Sequence, residues 1–364
     1  MPATAPPLGS LLAAALLLLA AAPTAAPAVA TPPATAPAPA AASRPLPRVL
    51  VIATGGTIAA AGYAGERERK SGELIEAIPG VQGMAAVASE DPITIGSSQI
   101  TPEILMFLVK HVKKRLADDP GLAGIVVTQG TDSLEETAFF FDLLVAADRP
   151  VVFTAAMRLP TEVSPDGPRN LRNAIRLAAS PAARGLGVLV TMNDEIHAAR
   201  EVRKASSSAV NAFESPAGGP IGYLDGDGVF LLRKPLRRIT LDSATIEPKV
   251  DLVISTVGSD GRQVRESVAA GAKAIVVELF GRGNAPQAMF QEMAAAAGKG
   301  VVIVVTSRTG SGRAVLGDEV RKLGILSGED LDGLKARTLL IVALGKTRDP
   351  AVLQGYFEKL AGKV

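Results

Sequence analysis

With no cysteine and only two histidines, His111 and His197, in 364 residues, chemistry in this chain has to come from hydroxyls, carboxylates, amides and lysines. A thiol nucleophile, a thiolate metal site and a disulfide frame are excluded. A histidine-based triad or metal centre would have to be built from two side chains. Four segments carry suitable groups. Thr54-Gly55-Gly56-Thr57 pairs two glycines, which permit a tight turn and close backbone approach, with a threonine presented just beyond them. Gln129-Gly130-Thr131-Asp132 repeats that arrangement with an acid added, and Gly96-Ser97-Ser98-Gln99 offers hydroxyl and amide groups. The charged stretch from Asn193 to Lys204 supplies a lysine. Each also has a plain structural reading. The first is an ordinary strand-to-helix turn, the second a helix N-cap with an acidic first turn at Glu135 and Glu136, the third a polar turn, the fourth a solvated loop. None matches GxGxxG or GxxxxGK[ST], so dinucleotides and nucleoside triphosphates lack their fingerprint. Glu195 and His197 lack the HExxH spacing of a zinc helix, and His111 lies among Lys110, Lys113 and Lys114 on a helical surface. No metal site and no cofactor is predicted.

These segments need elements to carry them. Short Val- and Ile-rich runs at 49–53, 93–96, 123–128, 151–155, 187–191, 252–255, 274–279, 301–306 and 338–343 read as buried parallel strands. Helical patterns at 101–116, 133–146 and 168–179 separate several of them, the first opened by Thr101 as N-cap and Pro102 as first residue. Alternation of this kind predicts an α/β fold with a mainly parallel sheet, whose ligands collect at the carboxyl ends of the strands. The candidate segments follow such ends. A composition break at 224–250 divides a larger domain, 48–235, from a smaller α/β domain, 250–364, through a linker at 236–249.

The 38 Lys and Arg nearly balance 36 Asp and Glu, so nucleic acid is not an expected partner. No charged side chain precedes Arg44, and Leu11 to Ala22 is a Leu/Ala run too short to span a membrane. With small-residue cleavage sites around Ala30, residues 1–30 are read as a secretory signal peptide, although the n-region has no Lys or Arg. Residues 31–47 are a Pro/Ala-rich linker. A secreted or periplasmic protein without a stable membrane anchor is expected.

Taken together, ATGGTIA at 53–59, GSSQ at 96–99, QGTDSLEET at 129–137, AMRLPTEVSPDGPRNLRNA at 156–174 and LVTMNDEIHAAREVRK at 189–204 resemble the bacterial L-asparaginase and glutaminase-asparaginase family, in its order and spacing. The resemblance implies a larger amino-terminal and a smaller carboxyl-terminal α/β domain, usually assembled as a homotetramer of intimate dimers. It implies Thr57 as nucleophile, with Thr131 as the alternative ester-forming residue, and Thr131, Asp132 and Lys204 as a second catalytic group. Ser98, Gln99, Asp132, Thr131 and Gly56 would bind the substrate, L-asparagine or alternatively L-glutamine. A threonine hydroxyl needs a base, and without histidine a lysine is the reasonable choice, with burial favouring its neutral form and the charge of Asp132 favouring the ammonium form. Backbone N–H groups of the glycine loop and of Thr131 would stabilise the oxyanion, worth ~3–4 kcal/mol per donor in comparable sites.

Departures from the family pattern are specific. The assisting tyrosine would have to be Tyr63, only six residues after Thr57, in a short charged loop. Gln129 stands where the family commonly has histidine. The acid that usually crosses to a neighbouring subunit has no clear match in 307–313, and Gly281-Arg282-Gly283-Asn284 resembles a family turn without a catalytic role. Two other functions fit the same residues: an amidotransferase-type asparaginase-like subunit, and a secreted amino-acid-binding homologue without turnover.

Overall fold

The computed structural model describes residues 45–60 and 69–363. The expected signal peptide, most of the Pro/Ala-rich linker and Tyr63 lie outside these residues. Among the described residues the first domain is built on strands β1 (Arg48–Ala53), β2 (Ala86–Glu90), β3 (Leu122–Thr128), β4 (Val151–Thr154), β5 (Val188–Met192) and β6 (Glu195–Ala198). A two-stranded ribbon, β7 (Arg203–Lys204) and β8 (Phe213–Glu214), precedes a hairpin of β9 (Gly222–Asp225) and β10 (Gly228–Leu231). The helices are α1 (Ser71–Glu76), α2 (Pro102–Asp118), α3 (Leu134–Leu144) and α4 (Gly167–Ala179). The sheet order is β10-β9-β6-β5-β4-β3-β1-β2. It is parallel from β2 to β5 and antiparallel from β5 through the hairpin. The smaller domain has a wholly parallel sheet of β11 (Val250–Ile254), β12 (Ala274–Leu279), β13 (Val302–Ser307) and β14 (Leu326–Ser327). Its helices are α5 (Arg262–Ala269), α6 (Gln287–Gly298), α7 (Asp318–Lys322), α8 (Gly333–Ala343) and α9 (Pro350–Ala361).

The central strands are apolar on both faces because both are covered. Leu50, Ile52, Ile125, Val127 and Phe153 face α2 and α3, whereas Val49, Val51, Val126 and Val152 face α4 and α1. Thr101 caps α2 by accepting the Ile104 N–H at 3.4 Å, with Pro102 at the first position. Leu105, Leu108, Val112 and Leu116 then form its buried stripe. Helix α3 buries Phe139, Phe140 and Phe141 on every side because α8 of the second domain covers the face turned away from the sheet. One core therefore runs through α3 and α8 into β12 and β13.

Two predicted strands are corrected. Residues 338–343 belong to helix α8, whose burial between neighbours removes the amphipathic period that distinguishes a helix from a strand in a short apolar run. Residues 93–96 form no strand. The strand on the far side of β1 from β3 is Ala86–Glu90, an edge strand exposed along much of its length, with Val87 its one β-branched residue. Residues 232–249 carry no regular element.

Candidate active site

Strands β1 and β3 are adjacent and parallel, with Ala53 opposite Thr128, so the loops leaving their carboxyl ends emerge side by side. Thr54 ties them together. Its backbone N–H and its hydroxyl both donate to the Thr128 carbonyl, at 3.0 and 2.9 Å, and its own carbonyl accepts the Ile95 N–H at 2.9 Å. Gly55 and Gly56 then turn with φ of 101° and 86°. A Cβ on Gly56 would lie 2.3 Å from the Gly130 nitrogen, so the two glycine loops touch backbone to backbone. Thr57 and Thr131 are the residues that follow these touching glycines. A Cβ on Gly130 would in turn lie 2.5 Å from the Ser97 hydroxyl. Ser97 fixes the third loop: its hydroxyl accepts the Asp132 N–H at 3.2 Å, and its carbonyl accepts the Ser133 hydroxyl at 2.8 Å. Ser98 and Gln99, next in the same turn, are exposed.

Lys204 reaches this junction from β7. Its Nζ lies 2.9 Å from the Thr131 hydroxyl and 2.8 Å from Asp132 Oδ1. Thr131 is buried and Asp132 exposed, so the lysine amine links a buried hydroxyl to a carboxylate at the surface. Thr57 is half-buried, and its hydroxyl makes no hydrogen bond among the described residues. The structure thus brings Gly56, Thr57, Ser98, Gln99, Thr131, Asp132 and Lys204 to one end of the first sheet, while Tyr63 lies outside the described residues. The cluster of hydroxyls, a primary amine and a carboxylate, beside two glycine loops, suits nucleophilic attack on a carbonyl carbon.

Three residues around the cluster carry no role in the sequence reading. Ser97 lies in the GSSQ turn, but its part in joining loops depends on contacts 35 and 36 residues away. Glu135 resembles an ordinary acidic first turn, and Lys335 is a single lysine in an apolar stretch. Both are buried at the rear of Lys204. Burial raises the Glu135 carboxyl above its usual range, with Lys335 opposing the rise. The 156–174 motif holds two turns. Asp166 accepts the Met157 and Arg158 N–H groups, and Asn170 and Asn173 hold the Asn193-Asp194 turn between β5 and β6.

The histidines stand apart. His111 pairs with Glu90 at 2.8 Å on α2. His197 is buried on β6 against Ser215 at 3.0 Å, and burial holds its pKa down at about 4. No group of three or more candidate metal ligands occurs among the described residues. In the same residues no helix is long and apolar enough to cross a membrane.

Comparison with known proteins gives a consistent picture. Residues 48–237 match the family described as Asparaginase, N-terminal, and residues 249–357 match the Glutaminase/Asparaginase C-terminal domain. The chain is 37% identical to L-asparaginase 2 of Bacillus subtilis over 326 residues, covering 86% of this chain and 87% of that protein. It is 38% identical to a probable periplasmic L-asparaginase of Haemophilus influenzae, covering 86% and 93%. It is 37% identical to the glutaminase-asparaginase of Pseudomonas fluorescens, covering 86% and 90%. The crystal structure of a probable cytoplasmic L-asparaginase from Campylobacter jejuni superposes with a TM-score of 0.79 at 38% identity, covering 85% of this chain and 99% of that one.

Proposed function

This chain belongs to the asparaginase and glutaminase-asparaginase family, and we propose on that footing that it hydrolyses the side-chain amide of L-asparagine to L-aspartate and ammonia. The observation that carries the reading is the Lys204 Nζ held between the Thr131 hydroxyl and the Asp132 carboxylate, at 2.9 and 2.8 Å, beside the Gly56–Gly130 contact that sets the Thr57 loop alongside. In this reading the Thr57 hydroxyl oxygen attacks the amide carbon and gives up its proton. That proton passes to the nitrogen as the C–N bond breaks, so the nitrogen leaves as ammonia, and water hydrolyses the threonyl ester to L-aspartate and the free Thr57 hydroxyl. Backbone N–H groups of the glycine loop and of Thr131 would face the oxyanion. Ser98, Gln99 and Asp132, all exposed, would hold the α-carboxylate and α-amino groups.

A second reading makes Thr131 the nucleophile, because its hydroxyl is the one in direct contact with the Lys204 amine. Acid-quenching the enzyme during turnover and mapping the ester by peptide mass separates the two. A +115 Da-class aspartyl adduct (roughly, the acyl mass) on the peptide holding Thr57 supports the first reading, and one on the peptide holding Thr131 supports the second. Rates on L-asparagine and L-glutamine measured together fix the substrate preference, since relatives carry both names.

The finer organisation follows the same reading. Domains at 48–235 and 250–364 joined by 236–249, a homotetramer of intimate dimers and export after removal of residues 1–30 complete the proposal. Sedimentation equilibrium tests the assembly. Amino-terminal sequencing of protein recovered outside the cytoplasm tests export, which is supported by the uncharged Leu/Ala run.

A further inference from the structure

Lys204 is held at both ends by one short stretch of chain. Thr131 and Asp132, just ahead of α3, contact its amine, whereas Glu135 in the first turn of α3 accepts its backbone N–H through Oε2 at 3.2 Å. That backbone bond is needed because of the strand geometry. On β7 the next residue, Ala205, donates its N–H to the Ala212 carbonyl on the β8 side, at 2.7 Å. Successive peptide groups in an extended chain point to opposite sides. The Lys204 N–H and the Val202 carbonyl two residues earlier therefore face away from β8, toward an edge where no further strand pairs among the described residues.

Side chains take the place of that strand. Glu135 accepts from Lys204, and Lys335 in the first turn of α8 donates its Nζ to the Val202 carbonyl. The two charged groups lie 3.9 Å apart, and both are buried, Lys335 to 2% and Glu135 to 8% exposure. Helix α8 is itself fixed from two directions. Asp332 caps it by accepting the Lys335 N–H at 2.8 Å, and Glu278 at the end of β12 accepts the Gly333 N–H at 2.9 Å. The second domain thus reaches the β7 backbone within the same chain.

We propose that the Glu135–Lys335 pair is a positioning device for Lys204, acting as a two-bond substitute for a neighbouring strand and setting where the lysine amine meets Thr131. The inference rests on the catalytic reading of Lys204. Glu135 and Lys335 touch no substrate; they act through the backbone on either side of Arg203. Removing one partner alone would leave a buried charge unpaired and confuse positioning with unfolding. The informative variant is therefore Glu135→Leu/Lys335→Met, which removes both bonds and both charges. Glu135→Gln/Lys335→Met restores an acceptor for the Lys204 N–H.

The experiment measures kcat, KM and the pH dependence of kcat for L-asparagine in the full chain, with melting temperature and amide exchange over 200–207 recorded for each protein. Glu135→Leu/Lys335→Met is expected to lower kcat about tenfold or more with KM changed less than about threefold, to shift the pH profile and to speed exchange at Lys204. Glu135→Gln/Lys335→Met is expected to recover part of kcat. If the Leu/Met variant does not fold, the Gln/Met variant carries the test, with an intermediate loss of kcat expected. A folded variant with wild-type kcat, pH profile and exchange overturns the proposal. Lys204→Met is run beside them. If it is inactive while the pair variants are unaffected, the positioning proposal alone fails; if it remains active, the catalytic reading fails and takes the proposal with it.

Discussion

The Nζ of Lys204 lies 2.9 Å from the Thr131 hydroxyl across 73 residues of sequence, joining a β-ribbon to the start of α3. With both histidines away from the site, no other described side chain of comparable basicity makes that contact. Lys204→Met is expected to lower kcat by about 10²- to 10⁴-fold near neutral pH, the usual range for losing a general base. A steady-state rate within a few fold of wild type would remove Lys204 from the mechanism.

The touching glycines give a second expectation, with an internal control. Gly56→Ala forces a Cβ to within 2.3 Å of the Gly130 backbone at a φ of 86°, so the Thr57 and Thr131 loops must separate. Turnover should fall by about 100-fold or more, as misplacement of catalytic groups by an ångström commonly does. Gly80→Ala has a similar φ of 72° but open space around it. It should cost only about 1–2 kcal/mol of stability and leave turnover unchanged. Equal effects of the two changes on turnover would show that the loop contact is not what matters.

Stability around the linker rests on a buried ion pair. Asp142 on α3 accepts from Arg238 at 2.9 Å and from the Val188 N–H at 2.9 Å, and burial pushes its carboxyl pKa up. Asp142→Ala should destabilise the protein by about 3–5 kcal/mol, because Arg238 loses its counter-charge and the Val188 N–H its acceptor. Asp142→Leu/Arg238→Met should recover most of that loss. Chemical denaturation of the three proteins decides it, and an equal loss in the double variant would point to packing instead of charge.

His197 should make the protein acid-sensitive. Its pKa is about 4 in the fold against 6.5 for the ordinary side chain, so the unfolded chain binds the proton more readily between those values. Stability is complete above pH 6.5 and is lost as pH falls toward 4, by roughly 3 kcal/mol in all. Neighbouring Glu195, whose pKa burial raises, contributes with the opposite sign. His197→Gln should therefore flatten the decline of unfolding free energy between pH 7 and 4.5. Parallel declines in the two proteins would contradict this account of the histidine.

What could be read in advance divides along the length scale of the interactions. The strand-end loops at Thr57 and Thr131 and the cap at Thr101 are local patterns, and Thr101 does cap α2. The mainly parallel sheet followed from Val- and Ile-rich runs. Residues 338–343 were illegible as helix because α8 is enclosed, and burial on all sides erases the 3.6-residue period. Edge strand β2 is illegible for the reverse reason, since the exposed edge carries Ala, Ser and Glu and leaves Val87 alone instead of a Val- and Ile-rich run. Around the site, Ser97, Glu135 and Lys335 work only through partners 35 to 133 residues away, which no local pattern encodes.

In the proposed mechanism Thr57, set beside the Thr131–Lys204–Asp132 cluster, breaks the amide bond. Ammonia release from L-asparagine by the protein and by its Thr57→Ala variant tests it most directly. Steady release is expected from the former, and a loss of about 10³-fold or more in a folded Thr57→Ala protein that still binds the amino acid. Turnover by Thr57→Ala at a rate comparable to wild type would contradict it.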